Sequence, residues 1–427
     1  MDRSSAILFA VLFTSILCTK NVSAAHQPPN MIVIFIDDMG YGDLGCFGSK
    51  VHRTPNVDRM AREGMMLTDF YSSCSVCTPS RASLMTGCYP RRVNMHVDEN
   101  NLCVLFPGAK KGLHPNEITI AEILKQQGYA TMCIGKWHLG DHPNFLPTKQ
   151  GFDHYFGIPY SNDMGANKNN KRPPLPLLRD ETVVEAPVDQ TTLTERYTKE
   201  AINFIEANRN QLFFLYLPHT AIHVPLFPGK DFKGKSAHGV YGDWVEEVDW
   251  STGEIINTLK KLGIDDDTLV IFTTDNGSQR EKDGCNLPLR GRKGRTDEGG
   301  MRVPCIARWP GQIPANSKCS EVTATIDILP TLAKLAGTGA PQDRVIDGKD
   351  IWPLLSGQPN AHSPHDAYFY YQMDQLQAVR SGPWKLFAPM DSKKRNWGDP
   401  EGASEAKLFN LVDDIHEDHN IADQHPA

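Results

Sequence analysis

The stretch Met31-Ile-Val-Ile-Phe-Ile36-Asp37-Asp38-Met39-Gly40 indicates how this chain folds. Six apolar residues follow one another without a break, and two carboxylates and a glycine end the run. Such a run predicts a parallel strand buried on both faces, because a strand with one solvated face alternates apolar and polar residues. A second run, Thr268-Leu-Val-Ile-Phe-Thr-Thr274, ends in the same way at Asp275-Asn276-Gly277.

Amphipathic helical segments alternate with apolar runs through the first 360 residues. We expect helices over 119–127, 195–207 and 241–262, followed by strands over 130–134, 213–217 and 268–274. This alternation is typical of an α/β fold. We therefore predict a large, mostly parallel or mixed sheet sandwiched by helices, in a domain that spans residues 25–360.

The pattern changes after residue 360. Short alternating strands are expected over 367–371, 377–380, 384–387 and 407–409, joined by turn signals. We predict a small antiparallel sheet packed with a helix, in a domain over 361–427. Its polar loop, 390–406, is expected to be a variable surface segment.

The overall charge limits the classes of partner. The chain of 427 residues has 44 Lys and Arg against 51 Asp and Glu, a net charge of −7. Proteins that bind nucleic acid or anionic membranes through their overall field are usually basic. We therefore expect no nucleic-acid partner, and any anion must be bound by a local group of cations.

The amino terminus has the three parts of a signal peptide. Arg3 precedes an apolar run over 6–18, and Val22-Ser23-Ala24 supplies the small residues of a cleavage site. The run is too short to span a bilayer. We predict a signal peptide over 1–24 and an exported protein without stable membrane insertion.

Cysteines and glycosylation sites bear on the compartment. Eight cysteines could form disulfides in an exported chain, with no pairing favoured by the sequence: Cys46, Cys74, Cys88, Cys103, Cys133, Cys285, Cys305 and Cys319. Asn-x-Ser/Thr occurs only at Asn21, inside the predicted signal, and at Asn276. This scarcity favours the bacterial periplasm or the extracellular space over a lysosomal or secretory compartment of a eukaryotic cell.

Polar residues follow both buried strands. Asp37 and Asp38 come after the first strand, and Asp275 and Asn276 come after the second. Carboxyl ends of parallel strands meet at one edge of a sheet, where open α/β folds bind ligands. Three carboxylates and an amide suit Ca²⁺ or Mg²⁺, although either pair alone could be an ordinary turn.

The segment Cys77-Thr-Pro-Ser-Arg-Ala-Ser-Leu-Met-Thr-Gly87 predicts a short helix. Thr78 is a suitable N-cap, Pro79 suits the first helical position, and Gly87 suits the stop. Residue 77 then lies at the positive end of the helix dipole, and Arg81 faces the same way one turn later. From these residues alone, an anion site and a disulfide cysteine followed by a capped helix are equal alternatives.

This segment resembles the C-x-P-S-R-x-x-L-x-T-G signature of the type I sulfatases, whose cysteine is converted to formylglycine. Further motifs of that family occur in the expected order: Asp37-Asp38, Gly135-Lys136-Trp137-His138-Leu139-Gly140, His223-Val224-Pro225, Thr274-Asp275-Asn276-Gly277, Lys293 and Glu298-Gly-Gly-Met-Arg-Val-Pro304. The segment Gly157-Ile-Pro-Tyr-Ser161 looks like the branch of arylsulfatase A and N-acetylgalactosamine-6-sulfatase. The resemblance covers residues 31 to 420 and implies an alkaline-phosphatase-like fold. The chain ends soon after Asp414, so substrate contacts that some relatives place later are not expected.

The resemblance also implies a metal site and a sulfate site. The metal, usually Ca²⁺ and less commonly Mg²⁺, would be bound by Asp37, Asp38, Asp275, Asn276 and the modified residue at Cys77. The sulfate would be surrounded by Arg81, Lys136, His138, His223, Lys293 and Ser161. The implied partners are a maturation enzyme that generates formylglycine and a sulfate ester of a sugar, a polysaccharide or an aryl alcohol.

Sulfate-ester hydrolysis needs residues of these types. The negative ester oxygens repel a nucleophile, so a divalent cation and several fixed cations must stabilise the charge that grows in the transition state. We expect Asp275 to deprotonate one hydroxyl of a hydrated aldehyde at Cys77. His223 and Lys293 would assist departure of the alcohol, and His138 would take the proton of the second hydroxyl.

Two other functions are compatible with the same residues. A phosphomonoester or phosphonate hydrolase of the same superfamily would use the same metal and nucleophile. A catalytically silent protein that binds sulfated glycans would result if Cys77 stayed unconverted. His219 fits core packing and substrate contact equally well, and we expect Arg290, Arg292 and Arg295 to form a solvated basic loop.

Overall fold

The computed structural model of the protein describes residues 27–166, 172–279, 284–395, 397 and 402–425. Strands β1 to β16 span Asn30–Ile36, Met65–Leu67, Phe70–Tyr71, Ala130–Ile134, His154–Gly157, Leu177–Arg179, Thr182–Glu185, Phe213–Pro218, Thr268–Thr274, Cys305–Arg308, Ser317–Cys319, Thr323–Ala324, Tyr368–Gln372, Gln375–Ser381, Trp384–Phe387 and Lys407–Asn410. Helices α1 to α8 span Pro55–Arg62, Cys77–Thr86, Ile120–Gln126, Leu193–Ala207, Gly239–Leu262, Glu298–Met301, Ile328–Leu335 and Trp352–Leu355. The predicted signal peptide lies outside the described residues.

A ten-stranded mixed sheet forms the centre of the molecule. Its strand order is β11-β2-β10-β9-β1-β8-β4-β5-β6-β7. The β1 strand pairs in parallel with both β8 and β9, and its seven residues are all buried. Apolar clusters cover both faces of the sheet, one packed with α4 and α5 and the other with α3 and α7. The predicted α/β class and the buried strands are therefore confirmed, and the edge strands make the sheet mixed.

The register of the central strands brings the polar residues together. Ile36, the last residue of β1, pairs with Thr274, the last residue of β9. Asp37 and Asp275 therefore leave the sheet side by side at its carboxyl edge. Strand β4, which is separated from β1 by β8, ends two residues before Lys136, so three of the central strands deliver charged side chains to the same edge.

A four-stranded antiparallel sheet, β13-β14-β15-β16, follows the α/β part of the chain. The strand β15 has its predicted bounds, β13 is shifted by one residue, and β14 and β16 extend one or two residues beyond theirs. The helical element after β16 is one 3₁₀ turn, Ala422–Gln424, which packs against β16. Tyr368 and Tyr370 of β13 pack on Tyr71 of β3, so this sheet rests directly on the large domain.

The start of α2 differs from the predicted capping pattern. The helix begins at Cys77, with Val76 at the N-cap, so Thr78 is not the cap and Pro79 is the third residue of the helix. The hydroxyl of Thr78 instead donates to the carbonyl of His138, because a tertiary contact is available to it. Gly87 ends the helix as predicted, with a left-handed φ of 69°.

The structure also bears on disulfides and membrane spans. Free thiols are found at Cys46, Cys74, Cys88, Cys133, Cys285, Cys305 and Cys319. Within the described residues, no helix has both the length and the apolar character that a bilayer crossing requires.

Candidate active site

Four acidic and amide groups of the strand ends lie within a buried cluster. The backbone amide of Asp38 donates to Asp275 Oδ1 at 3.1 Å, and Asn276 Nδ2 donates to Asp38 Oδ1 at 2.8 Å. Asp37 is wholly buried beside them. The predicted metal ligands other than Cys77 therefore form one group: Asp37, Asp38, Asp275 and Asn276.

The oxygen atoms of this group fit a hard cation. Asp37 Oδ1, Asp38 Oδ2 and Asn276 Oδ1 are buried and have no hydrogen-bond partner among the described residues. Buried oxygens are normally paired, so three unpaired ones in one cluster need a ligand. All-oxygen sets of this kind suit Ca²⁺ or Mg²⁺. Asp37, Asp38 and His223 also place one ligand atom each within 4.8 Å of the others.

Arg81 and Lys136 neutralise the carboxylates. Arg81 lies on α2 and its guanidinium is 2.8 Å from Asp275 Oδ2 and 3.6 Å from Asp37 Oδ1. Lys136 Nζ is 2.6 Å from Asp37 Oδ2 and donates to Ser161 Oγ at 3.1 Å. Burial raises the pKa of Asp37, but Lys136 and His223 outweigh it and hold that pKa well below its usual range.

Asp275 has the opposite shift. Burial, together with the negative charge of Asp37, raises its pKa to about 7, despite the neighbouring Arg81. A carboxyl group with a pKa near neutrality can both accept and release a proton at physiological pH. Of the two carboxylates that Arg81 contacts, Asp275 is thus the one whose pKa is raised.

Cys77 is buried at the amino end of α2. Its side chain is 3% exposed, and burial raises the pKa of its thiol although Lys136 and Lys293 act in the other direction. A thiol attacks only as the thiolate. As an unmodified cysteine, this residue would therefore be a poor nucleophile in the centre of the cluster.

The two predicted histidines are both held by backbone carbonyls. His138 Nε2 is 2.9 Å from the carbonyl of Leu105, and its Nδ1 is buried without a partner among the described residues. Burial and the charge of Lys136 lower its pKa well below the usual value. His223 Nδ1 is 2.6 Å from the carbonyl of Val224, while its Nε2 faces Asp38 Oδ2 at 3.7 Å.

Two residues of the site have an unusual backbone. Asp38 has a φ of 64° and His138 has a φ of 59°, both in the left-handed region that glycine prefers. For residues with larger side chains this conformation costs about 1 kcal/mol and is concentrated at functional sites. The chain thus holds both side chains in position at an energetic cost.

Lys293 completes the ring of cations. Its ammonium lies 2.5 Å from Asp38 Oδ1, and the charge of Asp38 keeps its pKa above the usual value in spite of burial. The predicted site residues are therefore brought together: Asp37, Asp38, Cys77, Arg81, Lys136, His138, Ser161, His223, Asp275, Asn276 and Lys293.

Residues around Lys293 were not predicted from the sequence. Gly294 donates to the carbonyl of Ser75 and accepts from Gln372 Nε2 of β13, and Thr296 donates to Gln377 Oε1 of β14. Both glutamines are 1% exposed. Only the three-dimensional packing of the second sheet reveals these contacts, since nothing in the spacing of the glutamines links them to a loop 80 residues away.

His219 and the arginines of the loop over 290–295 differ in burial. His219 is fully buried near Ser251 and Tyr197, and burial lowers its pKa to about 4, as expected for core packing. Arg290 is half-buried and pairs with Asp297, which corrects the expectation of a solvated side chain. Arg292 and Arg295 are exposed, as predicted.

Two family models match the chain. The model described as Sulfatase matches residues 29–338, and the model described as N-sulphoglucosamine sulphohydrolase, C-terminal, matches residues 293–426. Together the matched residues span almost all of the described chain.

Curated relatives match most of the chain. Human steryl-sulfatase is 38% identical over 90% of this chain and 80% of its own length. Canine N-acetylgalactosamine-6-sulfatase is 40% identical, with 85% and 72% covered, and human arylsulfatase A is 41% identical, with 85% and 75% covered.

Solved structures share the fold. The PsFucS1 sulfatase from Pseudoalteromonas sp. has a TM-score of 0.84 at 29% identity, and covers 93% of this chain and 87% of its own. Ps i-CgsB, solved in complex with k-i-k-neocarrahexaose, has a TM-score of 0.79 at 31% identity, with 93% and 89% covered.

Proposed function

The chain belongs to the sulfatase family and hydrolyses sulfate esters, and from this premise we propose its nucleophile, its metal and its class of substrate. The nucleophile is Cys77 after conversion to formylglycine, the metal is Ca²⁺, and the substrate is a sulfated sugar. The observation that carries the proposal is the position of Cys77 at the start of α2, within a buried ring of carboxylates and cations.

Conversion of Cys77 is supported by the state of its thiol. Burial raises the thiol pKa, so the thiolate is scarce at neutral pH. A hydrated aldehyde at the same position offers two hydroxyl groups, one to attack and one to expel the product. We infer that a maturation enzyme acts on this segment before or during folding, because Cys77 is 3% exposed in the folded chain.

The metal is assigned to Asp37, Asp38, Asp275, Asn276 and the modified Cys77. The three unpaired oxygens described above support this choice, and flexible oxygen coordination favours Ca²⁺ over Mg²⁺. Such an ion, when bound, stabilises negative charge on sulfate oxygens and makes a nearby hydroxyl more acidic.

Charge stabilisation and proton transfer are assigned to side chains of this protein. Arg81, Lys136 and Lys293 supply fixed positive charge for the sulfate oxygens. Asp275 accepts the proton of the attacking hydroxyl, which its raised pKa of about 7 supports. The second proton is assigned to His138, whose Nδ1 has no hydrogen-bond partner among the described residues.

His223 is assigned to the leaving alcohol. Contact of Nδ1 with the carbonyl of Val224 makes that nitrogen a donor, which directs Nε2 toward the cluster. As the acid, His223 carries a second proton on Nε2, which the charge of Asp38, 3.7 Å away, favours. Burial and Lys293 lower the pKa of the ring, so this imidazolium gives the Nε2 proton to the leaving alkoxide and becomes neutral. Lys293 assists from the other side.

A sugar ester is the proposed substrate class, with an aryl sulfate as a convenient reporter. The complex of Ps i-CgsB with a carrageenan oligosaccharide supports this choice, since that protein shares the fold over 93% of this chain. Export is proposed as well, from the signal-like apolar run over 6–18.

The test has two measurements on protein from a host with a maturation system. Mass spectrometry of the tryptic peptide Glu63–Arg81 is expected to show loss of sulfur from Cys77 and gain of an aldehyde or its hydrate. Turnover of 4-nitrophenyl sulfate is expected to exceed that of 4-nitrophenyl phosphate. A retained thiol in active protein overturns the nucleophile, and preferred turnover of the phosphate overturns the sulfated substrate.

A further inference from the structure

A basic groove lies beside the loop that carries Lys293. It encloses about 260 Å³, and its lining side chains include six cations and one carboxylate: Arg290, Arg295, Lys393, Lys394, Arg395, Lys407 and Asp297. The chain as a whole has a net charge of −7, so this local excess is not a reflection of its composition. A concave surface lined by one sign of charge concentrates ligands of the opposite sign.

Part of the positive charge is neutralised within the chain. Arg290 pairs with Asp297 at 3.1 Å, and Lys394 pairs with Asp374 at 2.5 Å. These two pairs fix the walls of the groove between the Lys293 loop and the second sheet. The other cations that line the groove take no part in these two pairs.

Three lining cations are available for a ligand. Arg295, Lys393 and Lys407 form no ion pair with any residue in the described part of the chain. Lys393 is half-buried, with its ammonium 4.7 Å from the centre of the Phe387 ring. Burial and the charges of Lys385 and Lys407 lower its pKa, so its charged form is stabilised when an anion approaches.

The groove adjoins the active site at Lys293. Gly294 lines the groove and directly follows Lys293, whose ammonium contacts Asp38. The ring of Trp397 lies against Gly294 and 5.9 Å from Lys293 Nζ, and the side chain is 50% exposed. A half-exposed indole between the two sites offers a flat apolar face on which a sugar ring can pack.

We propose that the groove binds a second negatively charged group of the substrate, a sulfate or carboxylate on a sugar adjacent to the one whose ester is cleaved. This inference rests on the proposed function, because it takes the substrate to be a sulfated glycan. The groove is larger than a single sulfate ion, and its position next to Lys293 and Trp397 favours an extended substrate over a separate polyanion. The preferred substrate is thus an oligosaccharide with several anionic groups. A sugar whose only anionic group is the sulfate ester to be cleaved is a poorer substrate.

The first test compares two substrates with groove variants. Arg295→Gln/Lys393→Gln is assayed on a heparin-derived tetrasaccharide and on 4-nitrophenyl sulfate, in buffer of low ionic strength. The ratio of kcat/KM for the tetrasaccharide to that for the aryl sulfate is expected to fall about tenfold, because two charge contacts are lost. Lys261→Gln, at an exposed position in the last turn of α5, removes a charge elsewhere and is expected to keep the wild-type ratio.

The second test measures binding without turnover. Calorimetric titration of Cys77→Ala protein with the tetrasaccharide is repeated with the two groove substitutions added, and we expect Kd to rise about tenfold. An unchanged Kd overturns the proposal that the groove binds the substrate. Equal affinity for a DNA oligonucleotide of the same charge also overturns it, as does equal competition by inorganic sulfate, since neither ligand is an anionic sugar.

The two proposals fail in different ways. If wild-type protein hydrolyses no sulfate ester while the groove substitutions still weaken tetrasaccharide binding, the proposed function fails and the groove stands. If both substrates are hydrolysed and the ratio of kcat/KM is the same in wild type and variant, the groove fails and the proposed function stands.

Discussion

The guanidinium of Arg81 lies 2.8 Å from the carboxylate of Asp275, and both side chains are completely buried. Arg81 lies on α2, one turn after Cys77, whereas Asp275 follows β9. The pair therefore joins the helix that carries the proposed nucleophile to the strand ends that carry the carboxylates. The neighbouring Asp37 lies 3.6 Å from the same guanidinium, so one cation serves two acids.

Replacement of Arg81 by Met is expected to destabilise the protein as well as inactivate it. Loss of one partner of a buried pair leaves an uncompensated charge, which costs about 3–5 kcal/mol. The free energy of unfolding, measured in urea, is expected to fall by that amount. Arg209→Met changes an exposed arginine and is the control. A variant as stable as wild type would contradict the role assigned to the pair.

Cys77→Ser tests the need for a second hydroxyl. Serine can attack sulfur once, but it has no further hydroxyl with which to expel the sulfate. We expect a single sulfate per protein chain, seen by intact mass, and no steady turnover of 4-nitrophenyl sulfate. Cys133→Ser, at a buried cysteine in β4, is the matched control and is expected to retain activity. Multiple turnovers by Cys77→Ser would refute the scheme.

Removal of divalent cations is expected to abolish activity and lower Tm. Asp37, Asp38 and Asn276 hold buried oxygens that lack hydrogen-bond partners in the described chain, and a bound cation would stabilise the folded state by satisfying them. Treatment with EDTA followed by addition of Ca²⁺ should restore both activity and Tm. In Asp38→Asn protein the gain in Tm on adding Ca²⁺ should be smaller. An unchanged Tm in the wild type after chelation would argue against the site.

The central part of the fold and site was accessible from local sequence patterns. The apolar runs predicted β1 and β9, and the capping and stop residues around Cys77–Gly87 predicted the helix α2. Edge strands such as β6 and β7 were missed, because each is three or four residues long and its pairing depends on distant partners.

Long-range contacts set the limit of the prediction. Thr78 was expected to cap α2, but its hydroxyl has a tertiary partner in His138, 60 residues away. Gln372 and Gln377 reach the Lys293 loop from the second sheet, and no local period marks them. Sequence patterns identify residues with a local structural or chemical signature, whereas such supporting residues are defined by packing alone.

The buried ion pairs of the second sheet can be tested at Lys385. Its ammonium, fully buried in β15, lies 2.9 Å from both Glu298 and Glu417. Lys385→Met leaves two acids facing each other and is expected to lower the free energy of unfolding by about 3–5 kcal/mol. Addition of Glu417→Gln should recover part of this loss, because the repulsion is removed. A double variant less stable than the single one would contradict this account.

Stability is expected to fall as pH rises because of Glu247 on α5. The side chain is 1% exposed and accepts a hydrogen bond from the amide of Gly229, but burial raises its pKa to about 7. The unfolded chain releases this proton near the ordinary glutamate pKa of 4.5. Between these two values the folded state binds more protons than the unfolded state, so the free energy of unfolding decreases with increasing pH. The full loss from this group is about 3 kcal/mol.

Glu247→Gln removes the titrating group and keeps a carbonyl oxygen for the amide of Gly229. The variant should therefore lose less stability than wild type between pH 4.5 and 7, and the difference between the two should grow across that window and level off above it. The difference in the free energy of unfolding is measured by urea unfolding at a series of pH values. Glu254→Gln, a less buried acid on the same helix, is the control. Parallel curves for wild type and Glu247→Gln would show that the carboxyl group of Glu247 titrates alike in the folded and unfolded chain.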